Sequence, residues 1–134
     1  MDKLNKIDNI IPELKSYFIK RKEIIFAYIF GSLVQKTANK LSDIDIAILI
    51  NEEDVDEKDY RYGYQAEILT DLMQELKTDK VDLVILNSAG ILIKHRVIYF
   101  GKLIYCTDEK ERVKFQVETV NKYMDYKMLR RKIS

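Results

Sequence analysis

Two apolar runs flanking a short polar interval constrain this chain more than any other feature. The first, Ile24-Ile25-Phe26-Ala27-Tyr28-Ile29-Phe30, is rich in β-branched and aromatic residues and stops at Gly31. Such a run reads as a buried strand. The second extends from Asp43 to Ile50, opening on the alternation Asp43-Ile44-Asp45-Ile46 and continuing apolar through Leu49 and Ile50. Side chains alternate faces along a strand, so Asp43 and Asp45 project to one side while Ile44 and Ile46 enter the core. Between the two runs lie Gly31-Ser32 and ten further residues. That length carries the chain out through a short helix or turn over residues 32–39 and back to a neighbouring strand.

The rest of the chain alternates helical and strand patterns. Leu4, Ile7, Ile11, Leu14 and Phe18 form one apolar helical stripe, with a kink or fresh helix start expected at Pro12, which lacks a backbone donor. Residues 51–59 are acidic and read as a solvated loop, and residues 60–77 as a helix built on Ile68, Leu69, Leu72, Met73 and Leu76. Val81 to Leu86 is a third strand. Residues 89–100 read as a helix that buries Ile91, Leu92, Val97 and Ile98 and ends at Gly101. Lys102 to Cys106 is a fourth strand. Thr107 is placed to cap a long last helix, whose apolar stripe is Val113, Val117, Val120, Met124 and Met128. Acidic Asp108, Glu109 and Glu111 sit at its start and basic Lys127, Arg130, Arg131 and Lys132 at its end, matching the helix dipole. Strands alternating with helices predict an α/β (α+β) architecture, a small mixed sheet of about four strands flanked by helices.

Length and composition bound the function. At 134 residues the chain fits a single domain spanning 1–134. A net charge of +1 supplies no strong field for nucleic acid, so direct DNA binding is not expected. No uncharged run approaches the about 20 residues of a membrane span, and the N-terminus lacks the apolar core of a signal peptide. The lone cysteine, Cys106, reads as a half-buried strand residue and fits a reducing, cytoplasmic setting.

The chemistry sits around the first interval. A glycine at a strand end lets the backbone turn close to a ligand, and the Ser32 hydroxyl with exposed N–H groups makes a phosphate cradle. Two carboxylates on one strand face beside that cradle suit hard divalent cations such as Mg²⁺. A pair of ions about 3.5–4 Å apart is the arrangement that in-line nucleotidyl transfer uses. Asp82, alone in the apolar strand Val81-Asp82-Leu83-Val84-Ile85-Leu86, is the candidate third ligand, because a carboxylate there is costly unless exposed, paired or metal-bound.

Gly31-Ser32, the ten-residue gap, Asp43-Ile44-Asp45 and the later Val81-Asp82-Leu83 together resemble the polymerase-beta-type nucleotidyltransferases. Within them the chain is similar to the minimal nucleotidyltransferases (MNT) of bacterial and archaeal toxin–antitoxin pairs, over about residues 24–107. The resemblance implies a polymerase-beta-like fold and an antitoxin that transfers AMP from ATP onto a tyrosine of an all-helical HEPN ribonuclease toxin. It implies Asp43, Asp45 and Asp82 as catalytic residues and ligands of two Mg²⁺ ions, and Gly31, Ser32 and Lys36 as nucleotide-binding. Many relatives carry Ala-Arg-Gly soon after the Gly-Ser pair. This chain has Val34-Gln35-Lys36 instead, leaving Lys36 or Lys40 to supply the charge on the phosphate side.

Two other readings stay open: an antitoxin that neutralises its toxin by binding alone, and a nucleotidyltransferase acting on a small molecule or an RNA end. Self-association and hetero-association with the toxin are equally open. His95, flanked by Lys94 and Arg96, is assigned to a solvated helix face. Nothing local specifies whether Arg61 or Arg96 reaches a triphosphate. Tyr60, Tyr62 and Tyr64 pack or stack on a base, with packing favoured.

Overall fold

The structure is a computed structural model that describes residues 3–31, 34, 43–60 and 62–133. Its elements are α1 (Lys3–Ile19), β1 (Ile24–Phe30), β2 (Ile44–Ile50), α2 (Tyr64–Leu76), β3 (Val81–Ile85), α3 (Ile91–Phe100), β4 (Lys102–Cys106) and α4 (Glu109–Ile133). The strands form one sheet in the order β3-β2-β1-β4. β1 pairs antiparallel with both β2 and β4, whereas β2 and β3 run parallel. A parallel neighbour needs a crossover, which α2 supplies. The expected mixed sheet of four strands flanked by helices is what forms.

Alternation decides what each face holds. Ile44, Ile46 and Ile48 of β2, Val81 and Leu83 of β3, and Ile24, Ala27 and Ile29 of β1 join one core with Leu14 and Phe18 of α1 and Ile68 and Leu72 of α2. The opposite face carries Phe26, Tyr28, Phe30 and Ala47, covered by Leu86, Val97 of α3 and Phe115 of α4. Asp45 and Asp82 fall on this second face by the same period of two.

Several local expectations are corrected. α1 is one continuous helix with Pro12 inside it, and no fresh start occurs. Pro12 and Asp8 both face solvent, where water can satisfy the carbonyl that a proline leaves without a donor. α2 begins at Tyr64 rather than Tyr60, where the Glu57 carboxylate accepts the Tyr64 N–H at 3.2 Å. The acidic loop before it contains two short 3₁₀ turns, Glu52–Asp54 and Glu57–Asp59. In α3 only Val97 is fully buried; Ile91 and Ile98 are half-buried and Leu92 is exposed. Gly101 ends α3 with φ −78°, not the left-handed conformation. Glycine is needed there because a Cβ would run into the Val97 carbonyl and stand 3.2 Å from the Ile29 carbonyl.

The last helix is capped by Asp108, not Thr107. The Thr107 hydroxyl donates to the Ile25 carbonyl at 3.0 Å, while the Asp108 carboxylate accepts the Glu111 N–H at 3.2 Å. The predicted stripe of α4 is also not the one that packs. Val113, Val117, Val120, Met124 and Met128 are between 41% and 56% exposed. The inward face is instead Phe115, Thr119 and Tyr123, with Phe115 edge-on to Phe26 and Tyr123 stacked on His95. Aromatic rings bury more area per contact than valine or methionine, so they win the docking face. His95 therefore lies between helices, its ring centroid 3.5 Å from that of Tyr123, rather than on a solvated face.

Candidate active site

Gly31 closes β1 with φ +80°, a conformation that L side chains rarely adopt. A Cβ at this position would collide with the Asp45 carboxylate. Glycine is thus required twice over, to turn the chain and to admit a carboxylate against the backbone. The antiparallel register sets Phe30 opposite Asp45, and the parallel register sets Asp45 opposite Asp82. Asp43 precedes β2 by one residue and is exposed. The three carboxylates named from the sequence are thereby gathered at one end of the sheet.

Asp45 is half-buried and Asp82 exposed. Burial raises the Asp45 carboxyl above its ordinary value, and the negative charges of Asp82 and then Asp43 push it further in the same direction. One Asp82 oxygen accepts the N–H of Leu83 at 3.0 Å. Among the described residues no three acidic, histidine or cysteine side chains already stand as a closed metal-holding cluster. The set is an open, mutually repelling group of oxygens.

Asp45 and Asp82 share a cavity of about 440 Å³ with Phe30, Gly31, Val84, Ile93 and Arg96. A larger cavity of about 850 Å³ lies at the other end of β1 and β2, lined by Lys22, Ile50, Glu52, Asp54 and Asp108 among others, and holds none of these aspartates. The smaller one is the candidate site because the carboxylates open into it. Arg96 is the residue the sequence left unplaced. The signal for it was helical spacing: Ile93 and Arg96 lie one turn apart on α3 and face the cavity together, beside the buried anchor Val97. Ser32, Gln35, Lys36, Lys40 and Arg61 lie outside the described residues. Tyr64 packs, 2% exposed and edge-on to Tyr60, rather than standing free for a base.

The family model for polymerase beta nucleotidyltransferases matches residues 12–110. The protein adenylyltransferase MntA of Shewanella oneidensis (strain MR-1) is 34% identical over 123 residues, covering 92% of this chain and 80% of the relative. The crystal structure of a toxin–antitoxin with AMP-PNP superposes with a TM-score of 0.69 at 31% identity, over 90% of this chain and 94% of the other. A structure of tri-AMPylated Shewanella oneidensis HEPN toxin in complex with MNT antitoxin superposes at 0.62 and 28% identity, over 99% and 95%. With the motif, the fold and the carboxylate register in agreement, this chain belongs to the polymerase beta nucleotidyltransferase family, as an enzyme of the minimal, MntA-like type.

Proposed function

We propose that this chain is the antitoxin of a HEPN/MNT pair and transfers AMP from ATP to a tyrosine hydroxyl of its HEPN toxin. The observation that carries the reading is the register of Asp45 against Asp82 in a cavity that Gly31 also lines, with Asp43 one residue before β2. The names of the relatives support it: one is a protein adenylyltransferase, and another is an MNT antitoxin in complex with an AMPylated toxin.

Magnesium suits this donor set. The ligands are carboxylate oxygens only, and like charges already press on Asp45, so a divalent cation relieves what the fold has strained. Asp43 and Asp45 would hold both ions, and Asp82 would complete the one on the acceptor side. Bound there, the ions supply charge neutralisation and activation of the attacking oxygen. In the transfer the tyrosine oxygen bonds to the α-phosphorus and the bond from that phosphorus to the bridging oxygen of the β-phosphate breaks. Pyrophosphate leaves with the electron pair. The hydroxyl proton passes to Asp82, which is exposed and lines the cavity, and from there to water. Ser32 and the backbone at Gly31 hold the β- and γ-phosphates, with Lys36 as their counter-charge.

The bare stripe of α4 supports a protein partner. Val113, Val117, Val120, Met124 and Met128 make an apolar band along a 25-residue helix, the kind of surface that marks an interface. It equally favours a second reading, neutralisation by binding alone. No helix among the described residues is long and apolar enough to cross a membrane. The free Cys106 fits a cytoplasmic setting.

The test is incubation with ATP, Mg²⁺ and the product of the adjacent gene, read by intact mass. An AMP-sized addition to the partner that disappears with Asp43→Asn supports transfer. Neutralisation that survives Asp43→Asn/Asp45→Asn supports binding alone.

A further inference from the structure

Arg96 lines the carboxylate cavity and is the one cation among its described lining residues. It is exposed, on a helix fixed to the sheet by the fully buried Val97 next to it. Among the described residues it makes no hydrogen bond or ion pair, unlike Arg21 and Arg112, which are engaged by Glu67 and Glu109. A guanidinium that shares a cavity with two aspartates without bonding either is spared for something that enters. A fully ionised triphosphate just balances two divalent ions, so the negative charges of Asp45, Asp82 and Asp43, which act on one another, are left without a counterpart. The site therefore calls for a further cation. The segment where relatives place an arginine has Val34-Gln35-Lys36 in this chain.

We infer that Arg96 donates to the non-bridging oxygens of the nucleotide's α-phosphate, supplying from α3 the arginine absent after the Gly-Ser turn. The inference rests on the nucleotidyl-transfer reading and assigns a residue to it. The position argues for the α-phosphate rather than the outer ones. Arg96 lines the same cavity as Gly31 and as Asp45 and Asp82, the carboxylates that would hold the ions around the α-phosphate in the proposed transfer. Arginine suits this place because its planar fork meets two phosphate oxygens at once and stays charged when desolvated. As the bond to phosphorus forms, charge builds on those oxygens, so the contact strengthens in the transition state.

The experiment uses the full chain with ATP and Mg²⁺ and two readouts. First, transfer to the toxin is measured for the native chain, Arg96→Lys and Arg96→Ala. The expected result is a kcat lowered about 100-fold in Arg96→Ala, with KM for ATP changed less than about threefold and partial recovery in Arg96→Lys. The preference between the two diastereomers of ATPαS should collapse in Arg96→Ala. Second, the α-phosphorus resonance of bound ATP is followed by ³¹P NMR, which needs no acceptor. It should move on Arg96→Ala while the γ resonance stays in place. Should the native chain leave the toxin unmodified, the acceptor reading fails, yet the ³¹P result still judges Arg96. A loss confined to KM for the toxin, a kcat within twofold of native, or an unmoved α resonance overturns the assignment. Arg96→Ala should melt as the native chain does, since the side chain is unpaired.

Discussion

Asp45 and Asp82 are paired residues of adjacent parallel strands and line the same cavity. Burial of Asp45 and then the negative charge of Asp82 raise the Asp45 carboxyl above its ordinary value, at a cost in stability. Without metal, Asp82→Asn should raise the melting temperature in EDTA while abolishing nucleotidyl transfer. The same variant should bring the Asp45 carboxyl back toward its ordinary value, followed by ¹³C NMR of the side chain in metal-free protein. Unchanged titration of Asp45 would show that the pair is not coupled.

Gly31→Ala should destabilise the chain by about 1–3 kcal/mol, because φ +80° strains an L residue and the added Cβ meets the Asp45 carboxylate. Transfer should be lost with it, since Asp45 has to move. Chemical denaturation and the AMP-transfer assay check both. A stable, active Gly31→Ala would mean that Asp45 need not lie against the turn.

Tyr64 donates to Glu23 at 2.6 Å in a buried setting, and Arg21 lies 3.1 Å from the same Glu23 oxygen. Tyr64→Phe leaves that carboxylate with less compensation and should cost about 1–3 kcal/mol of stability. Activity per folded molecule should not change, because the pair sits on the sheet face opposite the aspartates. Urea unfolding of the variant against the native chain measures the cost.

His95 is held neutral by burial and, to a smaller extent, by Lys127, so its pKa is lowered from 6.5. A depressed histidine leaves the unfolded chain binding more protons than the folded one. Its contribution is therefore complete above about pH 6.5 and is lost as pH falls through the lower folded value. The native chain should lose melting temperature between pH 7 and pH 5 faster than His95→Phe, which keeps a ring against Tyr123. Parallel curves for the two proteins would remove His95 from the pH response.

The apolar stripe of α4 gives a prediction about association. Val117→Asp/Met124→Asp should leave the melting temperature near native, since both residues are about half exposed at 53%. Affinity for the toxin should fall by about 100-fold or more, read by titration calorimetry, because a charge would be buried unpaired at the interface. Full affinity in the double variant would place the interface elsewhere.

The sequence by itself determined the strands and the candidate carboxylates. Ile24–Phe30 and Ile44–Ile50 formed where their β-branched runs and the Asp-Ile alternation put them. Asp43, Asp45 and Asp82 were legible as candidates from the Asp-Ile alternation and from a lone carboxylate in an apolar strand, although in the structure Asp43 and Asp82 are exposed and only Asp45 is half-buried. These are local signals, carried by residue type and by the period of two. Tertiary structure decided the rest. The face of α4 that docks was chosen by Phe115 against Phe26 and Tyr123 against His95, contacts no helical period can anticipate. The cap moved to Asp108 because Thr107 was taken by Ile25, a residue far along the chain. Arg96 reached the cavity only because Val97 anchors α3 over Phe26, Tyr28 and Phe30. Periodicity fixes which residues share a face, but the choice of neighbour for that face depends on long-range packing, and so does any site built between faces.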